Sequence, residues 1–223
     1  MDCIEYFDQV APQWDRLRES FFTKTVRDKA ISVADVQPGQ LAADIGCGTG
    51  FITEGLIQRG LRVIAVDGSR SMLSEMKQKF AGIDLIDYRL GEAGSLPIQD
   101  ETVDYAFANM YLHHVEIPSQ AIKEMVRILK PGGKLVITDL DEHNFKFLRR
   151  EHNDLWMGFK REEIRRWLKE AGLRDVAVDC VGENCCAVSS CRTEHAKINI
   201  FVASGKNRDD KTKAPEIIQN SRQ

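Results

Sequence analysis

The residues best able to do chemistry in this 223-residue chain gather around one glycine-rich turn. In Asp44-Ile45-Gly46-Cys47-Gly48-Thr49-Gly50, three glycines stand at alternate positions directly behind an apolar run that begins at Leu41. Without a Cβ, glycine permits a tight turn and lets a ligand lie against the main chain, near the positive end of a helix expected to start around Thr49. The next apolar run ends at Asp67, 21 residues beyond Gly46. A carboxylate there can accept hydrogen bonds from both hydroxyls of a ribose, so the pairing implies a nucleoside ligand rather than a bare strand-to-helix turn. A nicotinamide dinucleotide would make the same demands, so the loop does not choose the cofactor. Asp44 ends a buried strand, where its carboxylate needs a partner, and the cationic amino group of a ligand would supply one. Cys47, between two glycines, fits as a small packing residue.

Two further groups could act on a substrate. Four of the five histidines fall in the second half of the sheet region: His113, His114, His143 and His152. An imidazole titrates near ~6.5 and can serve as general base. His113 and His114 are adjacent, so on a helix they point about 100° apart and at most one is expected to face a site. Cys180, Cys185, Cys186, Cys191 and His195 lie close together near the C-terminal end. Thiolates bind soft metals and metalloids, and Cys185, Cys186 and Cys191 form the candidate soft-ligand cluster. The spacings contain no Cys-x-x-Cys step, so unspecific thiols in a loop are the simpler reading and no metal centre is expected.

The elements that must position these residues alternate along the chain. Leu41–Ile45, Leu61–Val66, Ile83–Tyr88, Val103–Ala108 and Leu135–Leu140 read as buried strands. Ile122, Met125, Val126 and Leu129 share one helical face, as do Ile164, Trp167, Leu168 and Ala171. Pro131-Gly132-Gly133 should stop the first helix and Gly172 the second. Such alternation implies βαβ units and a parallel sheet with helices on both faces. Leu173–Val181 and Ile198–Ala203, joined by about fifteen residues without helical period, suggest a closing hairpin with one antiparallel strand. Trp14 to Ile31 predicts one or two leading helices.

Composition narrows the class. The 31 basic and 34 acidic residues give a net charge of −3 and no basic field for a phosphate backbone, so nucleic acid is not expected as a partner. No apolar run approaches the ~20 residues of a membrane helix, and the first residues lack a signal-peptide pattern, which predicts a cytoplasmic chain without membrane insertion. Its cysteines are then expected to be free thiols.

With these residues in view, the stretch from Tyr6 to about Ser204 resembles the class I S-adenosylmethionine-dependent methyltransferases, in particular the ubiquinone/menaquinone-biosynthesis type. Asp44 resembles the family's first-motif acid. Asp67-Gly68-Ser69 with Met72 is similar to the second-strand signature, although Met72 also fits a core position with Leu73, Met76 and Phe80. Gly91-Glu92-Ala93-Gly94-Ser95-Leu96-Pro97 resembles the stretch that meets adenine, with Glu92 where Asp is usual. The runs Asp100 to Asn109, Tyr111 to His114, and Leu129 to Leu135 resemble the fourth- and fifth-strand regions.

The resemblance implies an α/β, Rossmann-like single domain with a seven-stranded, mostly parallel sheet. It implies S-adenosyl-L-methionine as cofactor and S-adenosyl-L-homocysteine as product, held by Asp44, Gly46, Cys47, Gly48, Gly50, Asp67, Gly68, Met72, Glu92, Ala93 and Asn109. The acceptor would be a small molecule facing the ends of the fourth and fifth strands, which makes His114 and His143 the catalytic candidates. Residues 1–35 would form a helical cap or lid, 36–205 the methyltransferase domain and 206–223 a disordered tail, in a monomer or homodimer. Methylation of a soft acceptor through the Cys-rich hairpin, and a non-catalytic cofactor-binding module, remain alternatives.

Overall fold

In a computed structural model that describes residues 3–209, one seven-stranded sheet forms the centre of the chain. Its strands are β1 (Leu41–Ile45), β2 (Arg62–Asp67), β3 (Ile86–Leu90), β4 (Val103–Asn109), β5 (Leu129–Leu140), β6 (Arg174–Val188) and β7 (His195–Lys206). Their spatial order is β3-β2-β1-β4-β5-β7-β6. The first five pair in parallel, and β7 runs antiparallel to both of its neighbours. The order reverses between β1 and β4, and in open α/β sheets the crevice outside the strand ends at such a point receives the ligand.

Burial on both faces explains the unbroken apolar runs of β1 and β2. Along β1, Ala42 packs toward one helical layer and Ala43 toward the other; along β2, Val63 and Ala65 alternate with Ile64 and Val66 in the same way. One layer holds α3 (Lys24–Ala34), α4 (Phe51–Ile57), α5 (Arg70–Lys79) and α7 (Lys146–Glu151). The other holds α6 (Pro118–Arg127) and α8 (Arg161–Glu170). Ahead of them lie α1 (Cys3–Val10) and α2 (Trp14–Phe21); α2 and α3 are the two helices that the stretch from Trp14 to Ile31 suggests, and α1 precedes that stretch.

Several boundaries differ from expectation, each for a local reason. The helix over Ile122, Met125 and Val126 ends at Arg127, and Leu129 already pairs with Val103 in the sheet. Pro131 accounts for this, because it lacks an N–H and disfavours helical backbone at Lys130. β3 starts later than Ile83 because this stretch is the sheet edge, where Ile83 and Leu85 stay exposed. The closing hairpin has far longer arms than its apolar runs suggest. A register shift between Cys180 and Asn184, with Gly182 at a φ of 88°, lets β6 continue through Glu183 and Asn184 to Val188.

The N-terminal cap is shorter than residues 1–35. Val26, Ala30, Ile31 and Ala34 of α3 belong to the layer packed on the sheet, so only α1 and α2 lie outside it. At the other end, Lys206 completes β7, and the Asn207 amide donates to the Gly133 carbonyl at 2.7 Å, so this part of the expected tail is ordered. The rest of that tail, from residue 210, lies outside the described residues.

The end of β5 is extended by the segment before α8: Phe159 donates to the Leu140 carbonyl and Glu142 to the Phe159 carbonyl. Gly158, at a φ of 66°, lies so close that an added Cβ would overlap the Asp141 carbonyl. Gly158→Ala is expected to lower the unfolding free energy by about 2 kcal/mol or more, as measured by urea denaturation.

Candidate functional site

A cavity of about 360 Å³ opens at the switch point, between the ends of β1, β2 and β4 and the two N-terminal helices. The glycine turn forms its floor. Gly46 and Gly48 adopt φ of 67° and 52°, and the Gly46 and Cys47 amides donate to the Val66 carbonyl, which ties the turn to β2. Both glycines are needed for space as well as backbone. A Cβ on Gly46 would overlap the Tyr111 ring, and one on Gly48 would press on the Trp14 indole at 3.3 Å. Asp67 then locks the turn. Its carboxylate accepts the Gly48 N–H and the Ser69 N–H, each at 2.8 Å. Burial raises its pKa, while these amides oppose the shift.

The structure places nine of the eleven sequence-proposed ligand residues on this cavity wall: Gly46, Cys47, Gly48, Asp67, Gly68, Met72, Glu92, Ala93 and Asn109. Asp44 and Gly50 do not border it. Asp44 is 1% exposed, and one oxygen of its carboxylate accepts both the Thr53 N–H at 3.0 Å and the Thr53 hydroxyl at 2.7 Å. That oxygen meets the first turn of α4, and burial pushes the Asp44 pKa up to about 7 despite those bonds. Gly50 caps α4 at a φ of 89°, where a Cβ would meet Phe80 and Met76, so its role is backbone geometry beneath the site.

Two carboxylates fasten the cap to the loops around the glycine turn. Asp8 accepts the Ser69 hydroxyl at 2.6 Å and the Ser71 N–H at 3.2 Å. Asp15 accepts the Thr49 hydroxyl at 2.6 Å and pairs with Lys79 at 2.8 Å. Phe7 and Trp14 stand edge to face on the cavity wall, with ring centroids 5.3 Å apart. Sequence reasoning missed Arg18, which is 7% exposed, borders the cavity and lies over the Phe51 ring at 4.3 Å. Burial lowers its pKa, and its Nε has no hydrogen-bond partner. Met110, another cavity residue missed, is held at a φ of 50°, a conformation that favours glycine.

A second cavity, of about 50 Å³, shares Phe7, Trp14, Phe22, Met110 and His114 with the first. Its polar side consists of His113, His114, His152, Asp154 and Tyr6. His113 and His114 lie on one 3₁₀ turn, and both border this space, whereas only His114 reaches the larger one. His113 approaches Asp139 through Nδ1 at 2.6 Å and Asp154 through Nε2 at 4.0 Å. Burial pulls the His113 pKa down, but the two carboxylates outweigh it and hold it up at about 9. Burial takes His114 well below the usual imidazole range.

His143 is not part of this arrangement. Its buried ring packs beside Phe145 and lines neither cavity, although the charges of His113 and Asp139 reach it. The cysteine cluster also separates. Cys185 and Cys186 are consecutive residues of a strand, so one side chain is buried against the second cavity and the other is exposed, while Cys191 lies in the exposed turn. Cys47, Cys180, Cys185, Cys186 and Cys191 are free thiols.

Residues 43–137 match a family model described as a methyltransferase domain. That stretch has the sequence pattern of a methyltransferase domain. A demethylmenaquinone methyltransferase from Renibacterium salmoninarum is 34% identical over 142 residues, which cover 62% of this chain and 59% of that protein. The chain therefore spans about three fifths of that curated relative. Solved structures share the fold of this chain at low identity. A Haloferax volcanii protein in complex with the Trm112 methyltransferase activator superposes with a TM-score of 0.74 at 18% identity, covering 91% of this chain and 97% of that one. Phosphoethanolamine N-methyltransferase 2 of Haemonchus contortus, in complex with S-adenosyl-L-methionine, gives 0.67 at 18% identity over 82% of this chain and 53% of its own.

Asp44 gives a stability signature. Its folded pKa of about 7 lies above its unfolded value of 3.8, so folding stability falls as pH rises from about 4 to 7 and levels off above. Asp44→Asn removes that loss, and its stability relative to the parent should be about 2–3 kcal/mol more favourable at pH 8 than at pH 5 by chemical denaturation. The cap carries a second prediction. Asp8→Ala with Asp15→Ala should speed amide exchange in residues 3–22 and leave α3 protected, as read by hydrogen-exchange mass spectrometry.

Proposed function

We propose that this chain transfers the methyl group of S-adenosyl-L-methionine to a small-molecule acceptor that enters between the N-terminal cap and the ends of β4 and β5. The observation that carries this reading is the larger cavity itself: backbone that side chains would fill at Gly46 and Gly48, an anchored carboxylate at Asp67, and aromatic walls from the cap. Each oxygen of Asp67 accepts one amide in the structure and keeps a further lone pair for a ribose hydroxyl. Glu92 and Ala93 would border the adenine. Arg18 would face the carboxylate of the methionine moiety, which answers its unpartnered Nε.

The cofactor supplies an electrophilic methyl group on a sulfonium. What the chain supplies is position and dryness. Phe7, Trp14 and Tyr111 enclose the reacting end, and aromatic faces stabilise a nearby cation. An in-line displacement gains most of its rate from holding the acceptor in line with the methyl carbon where water is excluded. His114 stands where the two cavities meet and would contact the acceptor; His143 has no place in this reading.

The acceptor in this proposal has an apolar body, in keeping with the mostly apolar wall residues Phe7, Phe22, Met110 and Val115. The naming of the matched relative after demethylmenaquinone supports a quinol-type ring as the first acceptor to try. A cytoplasmic setting belongs to the same proposal, supported by the free thiols of Cys47, Cys180, Cys185, Cys186 and Cys191 and by the absence, among the described residues, of a helix long and apolar enough to cross a membrane. Separation of Cys185, Cys186 and Cys191 gives the Cys-rich hairpin no support as a soft-acceptor site.

Calorimetry with S-adenosyl-L-homocysteine and a methyl-transfer assay over quinols, phenols, thiols and amines test the proposal. Asp67→Ala and Arg18→Met should each weaken cofactor binding by about 1.5–3 kcal/mol, the range for hydrogen bonds to charged groups. Binding without turnover on any acceptor would turn the reading toward a non-catalytic module. Failure to bind would end it.

A further inference from the structure

Methyl transfer as argued above leaves the inner end of the second cavity without a task, yet that is where the most unusual polar cluster of the molecule lies. One ring nitrogen each of His113 and His114 and a carboxylate oxygen of Asp154 lie within 4.8 Å of one another. We propose that His113, His114 and Asp154 form a binding site for a first-row divalent cation of the zinc class, set against the acceptor end of the larger cavity.

The tethering of the two imidazoles is the first support. His113 Nδ1 is tied to Asp139 at 2.6 Å, and His114 Nδ1 faces the Asn153 carbonyl at 3.4 Å. Metal-binding histidines characteristically donate one ring N–H to a carboxylate or a backbone carbonyl, which leaves the other nitrogen's lone pair for the ion. Nε2 is that nitrogen in both rings, and His113 Nε2 already faces Asp154 at 4.0 Å.

Charge and space give two more. Asp139 is fully buried, Asp154 is 4% exposed, and one Asp139 oxygen has no hydrogen-bond partner. Two buried carboxylates around one imidazole make a cluster that a divalent cation would neutralise. The cavity of about 50 Å³ has room for an ion with one or two waters, at ~30 Å³ for each water. Each donor would need to close by less than about 1 Å to reach the ~2.0–2.1 Å of a zinc–nitrogen bond. His152, whose Nε2 is buried without a partner, borders the same space as a further donor. Two imidazoles and a carboxylate suit a borderline divalent ion and leave a coordination position open.

The chemistry that such an ion would add depends on the methyl-transfer reading; its binding does not. An acceptor hydroxyl or thiol in the open position would lose its proton to solvent water. The freed lone pair forms the bond to the methyl carbon as the sulfonium–methyl bond breaks, and that bond's electron pair returns to sulfur to leave a thioether.

The test is equilibrium dialysis against Zn²⁺, without cofactor, of the full chain and of a Cys180→Ser, Cys186→Ser, Cys191→Ser variant that removes the exposed hairpin thiols. One ion per chain should bind to both, and the Co²⁺-loaded variant should show ligand-field bands without thiolate charge transfer. Asp154→Asn should weaken binding at least tenfold, and Asp139→Asn, which removes the negative charge behind His113, by about 10–100-fold. Circular dichroism and S-adenosyl-L-homocysteine calorimetry on both variants show that the fold and the larger cavity persist. No ion bound by the serine variant, or affinity unchanged by Asp154→Asn, overturns the site. Because the cofactor is measured separately, loss of ion binding leaves the methyl-transfer reading intact, and the reverse also holds.

Discussion

Asp67 sits buried at the end of a parallel strand, and its two oxygens hold the amides of Gly48 and Ser69. That pair of bonds joins the glycine turn to the next strand-to-helix loop, and the cap is fastened to the same two places. Asp8 reaches Ser69, and Asp15 reaches Thr49. Asp15 is 44% exposed and Asp8 is half-buried, so water weakens these hydroxyl contacts as it does the pair of Lys79 with Asp15, and the cap is held by several modest bonds together.

The region around the cavities is costly in the absence of ligand. Asp44, Asp67 and Arg18 are ionisable groups removed from water, and burial shifts each toward its neutral form. Met110 is held in a left-handed backbone conformation between the two cavities, and Gly46 lies against the Tyr111 ring. Such strain is sustained by the packed sheet beneath it and accumulates where a protein binds something. The same reasoning applies to His113 between Asp139 and Asp154. Replacement by apolar groups would cost the fold little, so the cluster is better explained by what it can hold.

His114 is the point where the two spaces meet, with Phe7 edge-on at 4.9 Å and His113 at 4.1 Å between ring centroids. The cap therefore touches the acceptor side directly. A change in α1 that moved Phe7 would alter both cavities at once, which couples cofactor enclosure to acceptor placement.

The alternation of apolar runs and helical faces determined the parallel sheet, and Gly46, Gly48 and Asp67 determined where a nucleoside would lie, because glycine geometry and strand-end position are local properties. Asp44 and Gly50 were legible as part of the same motif, but not in their roles. Whether a carboxylate meets a ligand or the first turn of a helix depends on how α4 docks, and only the tertiary structure shows Thr53 in that place. Helix ends were misjudged where proline acts two residues away, and the arms of the closing hairpin where β6 takes up two extra residues around Gly182. Arg18, Asp139, Asp154 and Met110 carry no local signal at all. The approach of His113 to Asp139 and Asp154 joins residues 26 and 41 positions apart, and no periodicity or spacing encodes that contact. Packing of the cap over the switch point, which the whole chain decides together, turns these scattered residues into two adjoining cavities.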